Sequence, residues 1–148
     1  MRRICGNCKT KYTPDRIELE AAKVTPEMTL RELRFSQEAV DNAKAKATKE
    51  AMPFMETLSL DSKIGDLAFF KGKGCDQCGG TGLKGRQGLY EVMFMNPRLR
   101  KLILQSVGAA EIRDAAVEEG MLTLRMDGWL KVLKGYTTLE QVIRETAA

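Results

Sequence analysis

Two Cys-x-x-Cys pairs, Cys5-Gly6-Asn7-Cys8 and Cys75-Asp76-Gln77-Cys78, stand far apart in the chain with residues 9–74 between them. They use all four cysteines of a sequence that has no histidine. Two thiolates separated by two residues grip one side of a metal ion, and a second such pair closes a tetrahedron. A closed Cys₄ shell is the signature of structural zinc. It leaves no coordination position for water or substrate, so the feature points to architecture before catalysis. Joining the pairs closes a long loop, at an entropic cost that grows only slowly with loop length. Metal affinity for the folded site offsets that cost.

Three other chemistries use the same residues. Redox dithiols call for a thioredoxin-like βαβ context, which the pattern lacks. Disulfides suit an oxidising compartment. The start, Met-Arg-Arg-Ile-Cys, has no apolar run of a secretory signal, which favours the cytoplasm and reduced thiols. Iron in a rubredoxin-like site is compatible with the ligand set. Zinc on Cys5, Cys8, Cys75 and Cys78 is the leading expectation.

The 148 residues suit one domain, or one domain with a long insertion. No run approaches 18 apolar residues, so no transmembrane segment is expected. The net charge is +4, and four thiolates with one divalent cation lower it by two. That mild, unclustered balance argues against nucleic acid as a partner. Arg2, Arg3, Lys9, Lys11, Lys73, Lys84 and Arg86 flank the cysteines and are expected to screen a thiolate cluster.

The expected fold class is α+β and mostly helical, a tetracysteine knuckle with short strands followed by a C-terminal helical bundle. Residues 1–95 read as the knuckle subdomain with a helical insertion at about 14–68, and residues 96–148 as the helical subdomain. Thr13-Pro14-Asp15 and Thr25-Pro26-Glu27 both carry helix-start signals. Ser36 caps a helix expected to reach about Ala51 and to end at Pro53. Its apolar stripe is thin (Val40, Ala43, Ala47), so the insertion reads as an exposed helical excursion. Residues 54–70 suggest one or two short strands, and Leu89–Phe94 another. Gly79, Gly80, Gly82, Gly85 and Gly88 mark tight turns.

Asn96-Pro97 starts a helix with Leu99, Leu102 and Ile103 on one face. A second runs from about Ala109 to Glu119 and stops at Gly120. A third carries Leu122, Met126, Trp129, Leu130 and Leu133 and ends at Gly135. Thr137-x-x-Glu140 reads as a capping box for the last.

Catalytic machinery is not visible. The chain has no Gly-x-x-x-x-Gly-Lys-Ser/Thr phosphate-binding loop, and the commonest general base, histidine, is missing. No catalytic or nucleotide-binding residue is assigned.

Three blocks carry a family resemblance: Arg2-Arg3-Ile4-Cys5-Gly6-Asn7-Cys8; Gly74–Gly82 (GCDQCGGTG); and Gly85–Val92 (GRQGLYEV). With Glu119–Leu124, Asp127-Gly128 and Gly135–Val142, they resemble the C-terminal part of bacterial type IV pilus assembly (PilB-like) and type II secretion (GspE-like) ATPases. The resemblance covers about residues 2–12 and 70–148. It implies a piece of a cytoplasmic hexameric ATPase, peripheral to the inner membrane and coupled to an integral-membrane platform protein. In that family ATP and Mg²⁺ belong to the full-length parent, whose phosphate-binding loop lies upstream of the zinc motif. The chain is thus expected to be a truncated, non-catalytic fragment, serving ring assembly and platform coupling, with the excursion as a candidate contact surface. The pilus branch is preferred over type II secretion. A free-standing zinc-ribbon module is the runner-up, because Cys75-x-x-Cys78-Gly79-Gly80-Thr81-Gly82 echoes one unit of DnaJ-type co-chaperones.

Overall fold

A computed structural model describes residues 1–147. The architecture is α+β and mostly helical, as the sequence suggests. Its strands form two small antiparallel ribbons. In one, β1 (Arg2–Ile4) pairs with β4 (Leu83–Arg86), with Arg2 opposite Arg86 and Ile4 opposite Leu83. In the other, β2 (Lys9–Tyr12) pairs with β3 (Phe69–Gly72), from Lys9 opposite Gly72 to Tyr12 opposite Phe69. Both ribbons therefore join the first dozen residues to the stretch around the second cysteine pair. They touch where Gly72 and Gly82 meet backbone to backbone; a Cβ on either would overlap the other's carbonyl oxygen.

Seven helices are described: α1 (Arg16–Ala21), α2 (Gln37–Ala45), α3 (Met52–Met55), α4 (Pro97–Leu104), α5 (Ala109–Glu118), α6 (Leu124–Leu133) and α7 (Leu139–Glu145). Local caps explain several boundaries. The side chains of Asp15, Ser36, Asn96, Thr123 and Thr138 each accept the backbone N–H three residues on. Gly120 and Gly135 adopt the positive φ that closes a helix.

Residues 15–68 are not an exposed excursion. Leu30, Val40, Ala43 and Ile64 are fully buried and belong to the same core as Trp129, Leu133, Leu139 and Val142. The thin stripe of α2 suffices because α6 supplies the large side chains opposite it. Phe69 of β3 joins the two layers, edge-on to Tyr12 at 6.4 Å and to Trp129 at 6.2 Å between ring centroids. A separate small core lies between α4 and α5, around Leu99, Ala115 and Ala116.

Other local expectations fail for identifiable reasons. Thr25-Pro26-Glu27 forms a turn whose Pro26 carbonyl accepts the Gly65 N–H at 2.8 Å. The Ser36-capped helix ends at Ala45, and Pro53 sits in the first turn of α3, where its missing N–H costs nothing. Residues 54–70 contribute only the start of β3. Phe54 and Met55 close α3, and the rest is mainly turn with a 3₁₀ turn at Ile64–Asp66, where Leu58 and Ile64 reach the core one at a time. The last helix is capped by Thr138. Thr137 is fully buried and donates its hydroxyl to the Arg2 carbonyl at 2.7 Å. Leu89–Phe94 is in no ladder among the described residues.

Two glycines test this packing. A Cβ on Gly128 would stand 2.5 Å from Val142 Cγ1, a buried side chain whose β-branching restricts its rotamers. Gly128→Ala should destabilise by about 1–3 kcal/mol, read as a lower Tm, and Val142→Ala in the same chain should recover part of the loss. Gly72→Ala pushes one ribbon off the other. Thermal melts should show a loss of at least about 2 kcal/mol, with faster alkylation of Cys8 and Cys78.

Candidate metal centre

The two ribbons carry the cysteines to one point. Cys5 follows β1 and Cys8 precedes β2, while a 3₁₀ turn at Asp76–Cys78 presents Cys75 and Cys78 between β3 and β4. Gly79 and Gly80, both at positive φ, reverse the chain behind this turn. The four sulfurs lie within 4.8 Å of one another.

Three sulfur–sulfur separations are short: Cys75 to Cys78 at 3.7 Å, Cys5 to Cys75 at 3.8 Å and Cys8 to Cys78 at 3.9 Å. A tetrahedron built with metal–sulfur bonds of about 2.3 Å has edges of about 3.8 Å. A disulfide would need about 2.05 Å. The donor set therefore fits a tetrahedral thiophilic ion.

Backbone amides ring the sulfurs. Gly74 N–H donates to Cys8 Sγ at 3.3 Å, Cys75 N–H to Cys78 Sγ at 3.2 Å, and Gly82 N–H to Cys78 Sγ at 3.2 Å. Such donors orient thiolates and spread their charge. Gly74 needs to be glycine on two counts, with φ at +96° and the Gly80 carbonyl 2.6 Å from where a Cβ would be. Around the cluster, Lys73 N–H donates to the Cys8 carbonyl and Cys5 N–H to that of Gly82. The Thr81 hydroxyl bonds the Cys78 carbonyl at 2.7 Å.

The sulfurs are not equivalent. Cys5 is buried and the other three half-buried. Burial pushes the Cys8 thiol up to about 11, against the Gly74 N–H. At Cys78 burial also opposes ionisation, but the N–H groups of Cys75 and Gly82 and the neighbouring thiols outweigh it and bring the group to about 6. Cys75 is lowered, first by the Asn7 side chain. Asn7 is a contributor that the spacing alone does not reveal, since either x of Cys-x-x-Cys accepts many residues.

Several flanking cations have other partners. Lys9 Nζ pairs with Glu50 at 3.3 Å, Lys11 lies over the Phe54 ring, and Arg3 lies over Tyr136. The sulfurs' hydrogen-bond donors are instead backbone amides, on Cys8 and Cys78. No helix among the described residues is long and apolar enough to cross a membrane.

Comparison with known proteins matches these features to one family. The model of the "Type II/IV secretion system protein" family matches residues 1–144. The type IV pilus assembly ATPase PilB of Thermus thermophilus is 41% identical over 66% of this chain and 11% of its own length. PilB of Myxococcus xanthus is 40% identical over 57% of this chain and 15% of its own. The type II secretion system protein E of Aeromonas hydrophila is 36% identical over 62% and 18%. The chain thus spans less than a fifth of the length of these relatives. A match that runs from the first ribbon through the last helix shows that the chain belongs to the type II/IV secretion system protein family.

Proposed function

We propose that the chain is the zinc-stapled, non-catalytic part of a hexameric traffic ATPase that powers type IV pilus assembly. The observation that carries the reading is the cluster of four sulfurs within 4.8 Å of one another, three of their separations at tetrahedral edge length, within a chain of this family. Cys5, Cys8, Cys75 and Cys78 hold the ion, and the amides of Gly74, Cys75 and Gly82 orient two of the four sulfurs, those of Cys8 and Cys78. The ion supplies no reactive position, because four thiolates fill its shell. Its role is to hold the ribbons together.

ATP and Mg²⁺ act elsewhere in the longer parent, since this sequence contains no phosphate-binding loop. The helices and ribbons described here serve ring assembly and transmit motion to the inner-membrane platform from the cytoplasmic side. Type II secretion is the second reading, supported by the 36% identity with protein E. The pilus reading is preferred because the 41% identity with a PilB protein extends over 101 residues, whereas the same identity with a type II secretion system protein E extends over 66.

Metal analysis of reduced protein purified without added metal should give one zinc per chain. Stripping it with a strong chelator should lower Tm and expose four reactive thiols. Cys78→Ser should weaken metal retention by more than about tenfold. Iron, or a folded protein with no metal, would overturn the zinc assignment. The chain alone should hydrolyse ATP no faster than a buffer blank, and turnover above that blank would sink the non-catalytic part of the reading.

A further inference from the structure

The short sulfur–sulfur contacts do not follow the Cys-x-x-Cys pairs. Two of the three cross from one pair to the other, Cys5 to Cys75 at 3.8 Å and Cys8 to Cys78 at 3.9 Å. The third, Cys75 to Cys78 at 3.7 Å, stays within a pair. One selection among them uses every sulfur once: Cys5 with Cys75, and Cys8 with Cys78. Joining Cys75 to Cys78 instead strands Cys5 and Cys8, which make no such contact with each other.

The backbone keeps the cross pairs opposed without help from sulfur. Cys5 N–H donates to the Gly82 carbonyl at 2.9 Å, and Lys73 N–H donates to the Cys8 carbonyl at 3.0 Å. The β1–β4 and β2–β3 ladders continue these bonds on either side. Each cross pair joins residues 70 apart in sequence, and each ties one ribbon to the other.

Each cross pair also contains a sulfur that solvent reaches. Cys75 is half-buried in one, and Cys8 and Cys78 are half-buried in the other, while Cys5 is closed off. The thiolate is the form that peroxides oxidise, and a cluster that holds a metal keeps its sulfurs in that form. An accessible thiolate attacks a peroxide oxygen: the S–O bond forms, the O–O bond breaks and hydroxide leaves. The partner thiolate then attacks the sulfenic sulfur, so the S–S bond forms, the S–O bond breaks and a second hydroxide leaves. Sulfur gives up two electrons, and one peroxide is reduced to water, for each disulfide made. Cys5 acts only in the second step and needs no access to solvent. Bonding at about 2.05 Å asks each cross pair to close by about 1.8 Å.

We infer that the cluster is an oxidation site for peroxides, and that its product is a pair of cross-linking disulfides, Cys5–Cys75 and Cys8–Cys78, which take over from the ion the joining of the two ribbons. This rests on the reading of the four cysteines as a metal-holding set in a reducing compartment, where disulfides are transient and sense redox state. A disulfide sulfur offers no thiolate, so the two bonds leave the ion without donors. Closure within each Cys-x-x-Cys pair would release the ion and the ribbons together. Closure across the pairs releases the ion and keeps the ribbons tied.

The test treats the reduced, metal-loaded full chain with a small excess of hydrogen peroxide beside a chromogenic zinc chelator. Trypsin cutting after Arg3, Lys9, Lys73 and Lys84 leaves Cys5 and Cys8 on one peptide and Cys75 and Cys78 on another. Mass spectrometry without reduction should find these two peptides joined by two disulfides, and fragmentation between the cysteines should place them as Cys5–Cys75 and Cys8–Cys78. Metal release should keep pace with disulfide formation, and dithiothreitol with added zinc should restore the metal-bound form. Oxidised, metal-free protein should melt at least about 5 °C above reduced, metal-free protein. Two separate peptides each closed by its own disulfide, the opposite cross pairing, disulfide-linked dimers, sulfinic acids without disulfides, or thiols that do not react each overturn the inference. A reduced sample that carries iron or no metal defeats the zinc reading alone, because the disulfide pairing is read in the same way on that sample.

Discussion

The fold depends on bringing residues 5–12 back against residues 69–83. Nothing local drives this return, because the two ribbons pair strands from opposite ends of a long excursion. Where they meet, Gly72 and Gly82 allow a backbone contact that no side chain would permit. That contact lies beside the point where the four sulfurs gather within 4.8 Å of one another. It also fixes β3, and with it Phe69, which carries the closure into the helical core through Trp129. The knuckle and the core are two ends of one strand.

The electrostatics of the cluster follow from the same geometry. Four thiolates around a divalent cation leave an excess of two negative charges. Lysines and arginines are abundant nearby, yet Lys9, Lys11 and Arg3 engage a carboxylate or an aromatic face. The sulfurs instead receive amides from tight glycine-containing turns. An amide fixed by the backbone loses no side-chain entropy in making such a bond, whereas an ordered lysine does. This explains why glycines crowd the second cysteine pair.

Much of the site was legible because its determinants are short-range. The Cys-x-x-Cys spacing, the glycine run and the caps at Ser36, Asn96, Gly120 and Gly135 each act within a few residues. The errors fall where a distant partner decides. α2 has too few large apolar side chains to announce itself as core, and only α6 lying against it makes Val40 and Ala43 interior. Thr137 was the better capping candidate by its spacing to Glu140. The Arg2 carbonyl claims its hydroxyl, and the cap moves to Thr138. Leu89–Phe94 has strand composition without a strand neighbour, and composition does not supply one.

Both edges of β1 are occupied, and by parts of the chain far from it. One edge pairs with β4. On the other, Ile4 N–H donates to the Tyr136 carbonyl at 2.9 Å, Arg2 N–H donates to Gln141 Oε1 at 3.2 Å, and Thr137 reaches the Arg2 carbonyl. The consequence concerns the order of assembly on the ribosome. Residues 2–4 are made well before the turn between α6 and α7, and their second edge is sealed only after that turn has left the exit tunnel. Domains made from the N-terminus onward cannot complete such a unit in stages. The first strand must wait, unpaired on that edge, for α7 to be synthesised.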